Sequence, residues 1–143
     1  MWCPNTVYSG ATPLTQLYPG DEYVDWTCFD AYNFGTTKSW SRWKTAAELM
    51  KPTYDQIRAI APTKQIMIGE VSSVEQGGDK AAWIRDTFLS YLPTEMPAIK
   101  SVLWFDRDVT TREGYNWSVN TSTASLQVWR EVVASPLYQG ALR

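Results

Sequence analysis

The stretch QIMIGEV, residues 65–71, decides the fold class of this 143-residue chain. It is short and apolar on both faces, which is typical of a strand buried inside a parallel sheet. Two other segments have the same character, VDWTCFDAY at residues 24–32 and SVLWFD at residues 101–106. Residues 1–4 are interpreted as the end of a fourth strand.

Helical patterns separate and follow these strands. They cover Thr45–Ala61, with a kink or restart expected at Pro52, then Asp79–Leu92, which Pro93 is expected to end, and Thr123–Ala134. Strands that alternate with helices predict an α/β fold, with a parallel sheet under outer helices. A closed (β/α)₈ barrel needs about 250 residues. The residues alone therefore leave two options, a small open α/β sheet or about half of a barrel.

The composition excludes several classes of function. The chain has no histidine, which excludes Ser-His-Asp catalysis and most zinc sites, and we expect neither a metal nor a cofactor. A net charge of −2 argues against a nucleic-acid partner, and the apolar runs are far shorter than the ~20 residues that span a membrane. Cys3 and Cys28 form either one bridge or two buried thiols, and we favour thiols.

The ends of the three strands carry the candidate functional residues. Side chains two residues apart in a strand share a face, and parallel α/β folds place their chemistry at the carboxyl ends of the strands. The residues predicted to converge there are Asp30, Tyr32, Glu70, Trp104 and Asp106. On the second strand the same face includes Ile66 and Ile68. The residues of opposite parity, predicted to pack under helices, are Phe29, Ala31, Met67, Gly69, Val71, Leu103 and Phe105.

Carboxylates beside aromatic side chains fit glycoside hydrolysis, which uses two carboxyl groups. In this interpretation Tyr32 donates a hydrogen bond that orients Glu70, and Trp104 offers a flat apolar face to a sugar ring. The further aromatic residues expected to be exposed for sugar stacking are Trp40, Trp43, Tyr115 and Trp117.

Two competing interpretations have less support from the sequence. A non-catalytic carbohydrate-binding module agrees with the 8 Trp and 8 Tyr, but such modules are usually β-sandwiches without this strand–helix alternation. A small doubly wound binding or redox domain would carry a G-x-G-x-x-G turn after its first strand, and the sequence has none.

Six segments in order carry a resemblance to a known family. They are WCPN (2–5), YPGDEYVDW (18–26), FDAYN (29–33), IMIGEVSS (66–73), GGDKAAW (77–83) and VLWFD (102–106). Together they resemble the C-terminal half of family 26 glycoside hydrolases, (β/α)₈-barrel endo-acting enzymes typified by β-mannanases. The resemblance spans about residues 1–135.

The resemblance implies that residues 1–143 are one partial catalytic domain, from the end of barrel strand five through helix eight. Glu70 then matches the family's nucleophile, Tyr32 the tyrosine that contacts it, and Trp104 the tryptophan under the sugar. Asp30 and Asp106 resemble residues at the mouth of the family's site and are predicted to bind substrate. Among the stacking candidates, Trp117 is also predicted to bind substrate. The family's acid/base glutamate ends strand four, which would lie before Met1.

The implied activity is retaining hydrolysis of a β-1,4-linked polysaccharide such as mannan, with mixed-linkage β-glucan and β-1,3-xylan as open alternatives. Without the acid/base the chain is expected to be nearly inactive on ordinary glycans. The parent enzyme is expected to be secreted. Half of a barrel leaves strand edges unpaired, so we also expect self-association.

Overall fold

Three parallel strands form the centre of the computed structural model, which describes residues 1–139. The strands are β1 (Trp26–Asn33), β2 (Gln65–Ser73) and β3 (Ile99–Trp104), and they pair in the order β1-β2-β3. The α-helices are α1 (Leu14–Leu17), α2 (Ala46–Ile60), α3 (Lys80–Arg85), α4 (Leu92–Glu95), α5 (Thr110–Glu113) and α6 (Thr123–Ala134), with a π-helical segment (Asp86–Tyr91) between α3 and α4. This confirms the predicted mixed α/β fold with parallel strands.

The N-terminal residues run parallel to β1, in agreement with their interpretation as the end of a strand. Isolated bridges pair Trp2 with Thr27 and Asn5 with Asp30. This pairing brings the Cα atoms of Cys3 and Cys28 to 4.4 Å, and a disulfide joins the two residues. The expectation of two thiols is therefore wrong, because residues far apart in sequence lie on adjacent extended segments.

Helix boundaries follow local capping signals, with two departures at prolines. The capped N-terminus of α6 at Ser122 and its extent are confirmed. Helix α2 continues through Pro52, so the helix does not restart there. Pro93 does not end the second helical region, because the π-helical segment changes the hydrogen-bond register and Pro93 falls in the first turn of α4, where its missing N–H is tolerated.

The main core lies between the sheet and the helices. Phe29 of β1 pairs in register with Ile68 of β2, and both side chains are fully buried in this core. The register then shifts, so that Asp30 pairs with Glu70 and Gly69 is the extra residue of a β-bulge. Glu70 consequently faces away from the core. The prediction that Ile66 and Ile68 share a face with Glu70 is wrong, because the bulge reverses the parity of β2.

The face of the sheet predicted for Val102 and Trp104 of β3 is also wrong. Val102 pairs with Ile68 and Trp104 with Val71, whose side chains belong to the main core. Trp104 therefore lies on the helix face of the sheet. Leu103 is 54% exposed, and the next residue of the same parity, Phe105, packs in a separate cluster. The prediction that Leu103 and Phe105 pack under the helices is therefore wrong.

Candidate active site

Tyr32 and Glu70 meet on the face of the sheet that points away from the main core. The two residues come from adjacent strands, and their positions follow from the register that pairs Asp30 with Glu70 and Tyr32 with Ser72. The hydroxyl of Tyr32 donates a hydrogen bond to Glu70 Oε2. Both side chains are half-buried, so the pair is positioned by the sheet and remains accessible.

The electrostatic environment keeps Tyr32 as the donor of this hydrogen bond. Burial raises the pKa of Tyr32, and the hydrogen bond to Glu70 and the charges of Glu70 and Asp30 raise it further. Tyr32 therefore stays protonated and donates. Burial also raises the pKa of Asp30, as does the negative charge of Glu70, whereas a hydrogen bond from the backbone of Glu70 lowers it. Asp30 thus holds its proton more tightly than a free aspartic acid.

An aromatic cluster supports the ring of Tyr32. The ring centroid of Trp117 lies 4.9 Å from that of Tyr32, and the centroid of Phe105 lies 5.5 Å away. Trp117 is 4% exposed and Tyr115 is 3% exposed, so the expectation that their faces are open to a sugar is wrong. The sequence reasoning placed Phe105 under the helices because it assigned β3 to the wrong face; Val102 and Trp104 pack on the main core, and Phe105 packs in the separate cluster.

Trp104 and Asp106 do not join this group. Trp104 packs against Phe88 and Trp129, at centroid distances of 6.1 and 5.2 Å, in the layer between the sheet and the helices. Asp106 accepts a hydrogen bond from the backbone N–H of Val119 at 2.8 Å. Of the predicted site residues, the structure brings together Asp30, Tyr32 and Glu70, with Trp117 behind them.

A buried lysine lies beside Trp104. Lys80 Nζ donates to the carbonyl of Ser118 at 2.6 Å and to Thr121 Oγ1 at 3.0 Å, and it lies 5.5 Å from the Trp104 ring. Burial lowers the pKa of Lys80 to about 8, although the charges of Glu75 and Asp106 raise it. Sequence reasoning missed Lys80, since a lysine in the first turn of an amphipathic helix is normally exposed.

Two cavities share Tyr32 as a wall. One of about 240 Å³ is lined by Tyr32, Phe34, Ser39, Trp40, Ser41, Arg42 and Lys44. The other, of about 170 Å³, is lined by Tyr32, Phe34, Phe105, Val109, Arg112, Glu113, Tyr115 and Trp117. A larger cavity of about 380 Å³ lies between β3 and α6, and Asp30, Tyr32 and Glu70 do not line it. The cavities beside Tyr32 are therefore the ones relevant to this site.

Two further searches cover the part of the chain that the structure describes. Within residues 1–139, no group of three or more cysteine, aspartate or glutamate side chains is arranged to hold a metal ion. None of the helices in this range has the length and apolar character needed to cross a membrane.

Comparison with known proteins finds a similarity over most of the chain. The chain is 36% identical over 119 residues to Endoglucanase H of Acetivibrio thermocellus. The match covers 82% of this chain but spans 12% of the length of that protein. No known protein-family profile matches the chain. The similarity supports a relationship between this chain and glycosidases.

Proposed function

We propose that this chain contributes to a retaining glycosidase acting on a β-1,4-linked polysaccharide, with Glu70 as the nucleophile. The observation that carries the proposal is the hydrogen bond from Tyr32 to Glu70 Oε2, on the accessible face of the sheet. The name of the relative, an endoglucanase, supports a β-glucan substrate. The family 26 resemblance supports mannan as the alternative substrate within the same class.

The chemistry follows from the free oxygen of Glu70. Tyr32 holds Oε2, which leaves Oε1 to attack the anomeric carbon of the sugar. A bond forms between Oε1 and that carbon, the glycosidic C–O bond breaks, and its electron pair leaves with the aglycone oxygen. An acid must protonate that oxygen when the aglycone is an ordinary sugar, and the same group then activates the water that releases the glycosyl-enzyme.

The proposal extends to the fold and to the second carboxyl group. In it, residues 1–5 and β1–β3 correspond to strands five to eight of a (β/α)₈ barrel, whose fourth strand supplies the acid/base. Asp30 then serves as a substrate-binding residue, because it pairs with Glu70 in the sheet register and its carboxyl oxygens can accept hydrogen bonds from sugar hydroxyls. Trp104 would support the site indirectly, by holding the backbone of Trp117: its Nε1 donates to the carbonyl of Trp117 at 3.0 Å.

The proposed function is consistent with a secreted protein. Polysaccharides are degraded outside the cell, and the Cys3–Cys28 disulfide is typical of oxidising compartments. We expect no nucleic-acid or membrane partner for this activity.

The test uses a substrate that needs no acid. The chain is incubated with 2,4-dinitrophenyl 2-deoxy-2-fluoro-β-cellobioside, or with the mannobioside analogue, and its mass is measured intact and after digestion. We expect one glycosyl group on Glu70, because dinitrophenolate leaves without a proton and the fluorine slows hydrolysis of the product. Comparison of the two reagents then identifies the preferred sugar.

Two variants make the labelling experiment specific. Glu70→Gln should abolish labelling, and Tyr32→Phe should slow labelling by about tenfold, because the carboxylate loses a hydrogen bond from its orienting partner. Labelling of Glu70→Gln at the wild-type rate would show that Glu70 is not the nucleophile. A chain that binds glycans but is labelled by neither reagent would favour the competing function, carbohydrate binding without catalysis, for which the exposed Trp40 is the supporting observation.

A further inference from the structure

The segment between β1 and α2 forms an accessible cavity that the proposed chemistry at Glu70 does not use. This cavity of about 240 Å³, the β1–α2 cavity, is lined by Tyr32, Phe34, Ser39, Trp40, Ser41, Arg42 and Lys44. Tyr32 forms one wall and also contacts Glu70, so the cavity adjoins the candidate active site.

Hydrogen bonds hold this segment in a defined shape. Ser41 Oγ donates to the carbonyl of Gly35 at 2.8 Å, and the hydroxyl of Thr37 donates to the carbonyl of Phe34 at 2.6 Å. The far end is anchored at Lys44, whose carbonyl accepts a hydrogen bond from Trp83 Nε1 at 2.9 Å. The cavity is therefore largely formed before any ligand binds, which lowers the entropic cost of binding.

Trp40 is the feature of this cavity that the fold itself does not explain. Trp40 is 71% exposed, and its ring meets that of Phe34 in an edge-on arrangement at a centroid distance of 5.2 Å. A tryptophan in the core would bury most of this apolar area, and surface positions rarely leave so much of it in water. An aromatic ring that contacts one neighbour edge-on and leaves most of its surface open can stack against the C–H face of a sugar.

The polar groups of the cavity are suited to a hydroxylated ligand. The guanidinium of Arg42 forms an ion pair with Glu48 at 2.7 Å and also donates to the carbonyl of Trp43, so its charge is largely balanced. Lys44 adds an ammonium, which can donate to hydroxyl oxygens. These groups and the two serine hydroxyls can all hydrogen-bond to the hydroxyls of a neutral sugar ring.

We propose that the β1–α2 cavity is a second sugar subsite, in which Trp40 stacks against a neutral hexopyranose unit of the glycan bound at Glu70 and Lys44 donates to its hydroxyls. The identity of the ligand as a glycan rests on the proposed function. The cavity is smaller than the roughly 300–1,000 Å³ of sites for drug-sized ligands, and a single sugar unit is therefore the appropriate occupant.

The test measures equilibrium binding, which needs no catalysis. Cellohexaose and mannohexaose are titrated into the wild-type chain, Trp40→Ala, Trp40→Phe and Tyr23→Ala by isothermal titration calorimetry. Tyr23 is the matched control, because it is also 71% exposed but does not line the cavity. Circular dichroism checks that each variant remains folded.

The proposed subsite predicts a specific pattern of affinities. Trp40→Ala should raise Kd by about tenfold, which corresponds to the loss of one aromatic stacking contact. Trp40→Phe should recover most of the affinity, and Tyr23→Ala should change it less than twofold. Equal affinity of Trp40→Ala and wild type, or no binding of either hexasaccharide, would overturn the subsite.

Two further outcomes separate the subsite from its alternatives. A uronic-acid oligosaccharide that binds tenfold more tightly than the neutral ones, with an affinity that falls in salt, would overturn the assignment to a neutral sugar. Labelling at Glu70 is independent of these titrations. Loss of binding in Trp40→Ala without any labelling of wild type would retain the subsite and reject the proposed catalysis, and the reverse result would reject the subsite alone.

Discussion

The β-bulge at Gly69 is expected to tolerate no side chain. A Cβ atom added at this position would lie 2.9 Å from Asp30 Oδ1 and 2.9 Å from Cys3 Sγ. The disulfide to Cys28 holds the sulfur in place, so the strain of Gly69→Ala must displace the carboxylate of Asp30 or the bulge itself. Overpacking of this kind costs about 1–3 kcal/mol.

Urea denaturation followed by tryptophan fluorescence measures this cost. With a slope of about 1–3 kcal/mol/M, the midpoint of Gly69→Ala should fall by about 1 M. The rate of labelling at Glu70 should also fall under conditions in which the variant is fully folded, because Glu70 is the next residue and shares its register with Asp30. A folded variant with an unchanged rate would show that the bulge does not control the orientation of Glu70.

A double-mutant cycle with Asp30→Ala assigns the strain to one contact. Asp30→Ala removes the oxygen that meets the new Cβ atom, so the penalty for Gly69→Ala should be smaller by about 1 kcal/mol in that background. Strict additivity of the two substitutions would refute the steric argument. A stability of Gly69→Ala equal to that of the wild type would refute it as well.

Three other properties can be measured on the same protein. Replacing Cys3 and Cys28 by serine should lower the free energy of unfolding by about 3.5 kcal/mol, because the disulfide closes a loop with a sequence separation of 25, and urea melts with and without dithiothreitol check this. The pKa of Lys80 is lowered to about 8, so the unfolded chain binds more protons than the folded one above that pH, and stability should rise from about pH 8 to 9.5. Lys80→Met should lack this rise, and identical pH profiles would contradict the assignment to Lys80. Among the described residues, β3 is an edge strand and Leu103 on it is exposed. Analytical ultracentrifugation should therefore show association that increases with protein concentration, and a monomer at all concentrations would contradict this expectation.

The features that the sequence predicts well depend on residues close together in the chain. The extent of α6 follows from the apolar pattern of residues 123–134 and from the cap at Ser122. β2 begins at Gln65, as its buried apolar run indicates. Alternation of such segments is enough to predict parallel strands with helices between them, because each apolar segment must find a partner surface.

The features that the sequence does not predict depend on pairing between distant segments. The disulfide needs the N-terminal residues to lie in register beside β1, and composition alone does not indicate that register. Similarly, Pro93 ends a regular helix in most contexts, but here a π-helical segment precedes it and moves it into a new first turn. Lys80 is buried because the 118–121 loop closes over it, a contact between segments almost forty residues apart.

The candidate site shows why one unpaired residue matters so much in a sheet. In a regular β2, Glu70 would share the face of Ile68 and point into the core beneath the helices, where an ionised carboxylate without a partner is strongly unfavourable. The bulge at Gly69 moves Glu70 to the opposite face, beside Tyr32. β3 keeps its alternation, so Trp104 stays on the core face with Val102 and does not follow Glu70 to the opposite face. A slip of one residue reverses every following side chain, so parity predicts a site only where the strand is regular up to that site.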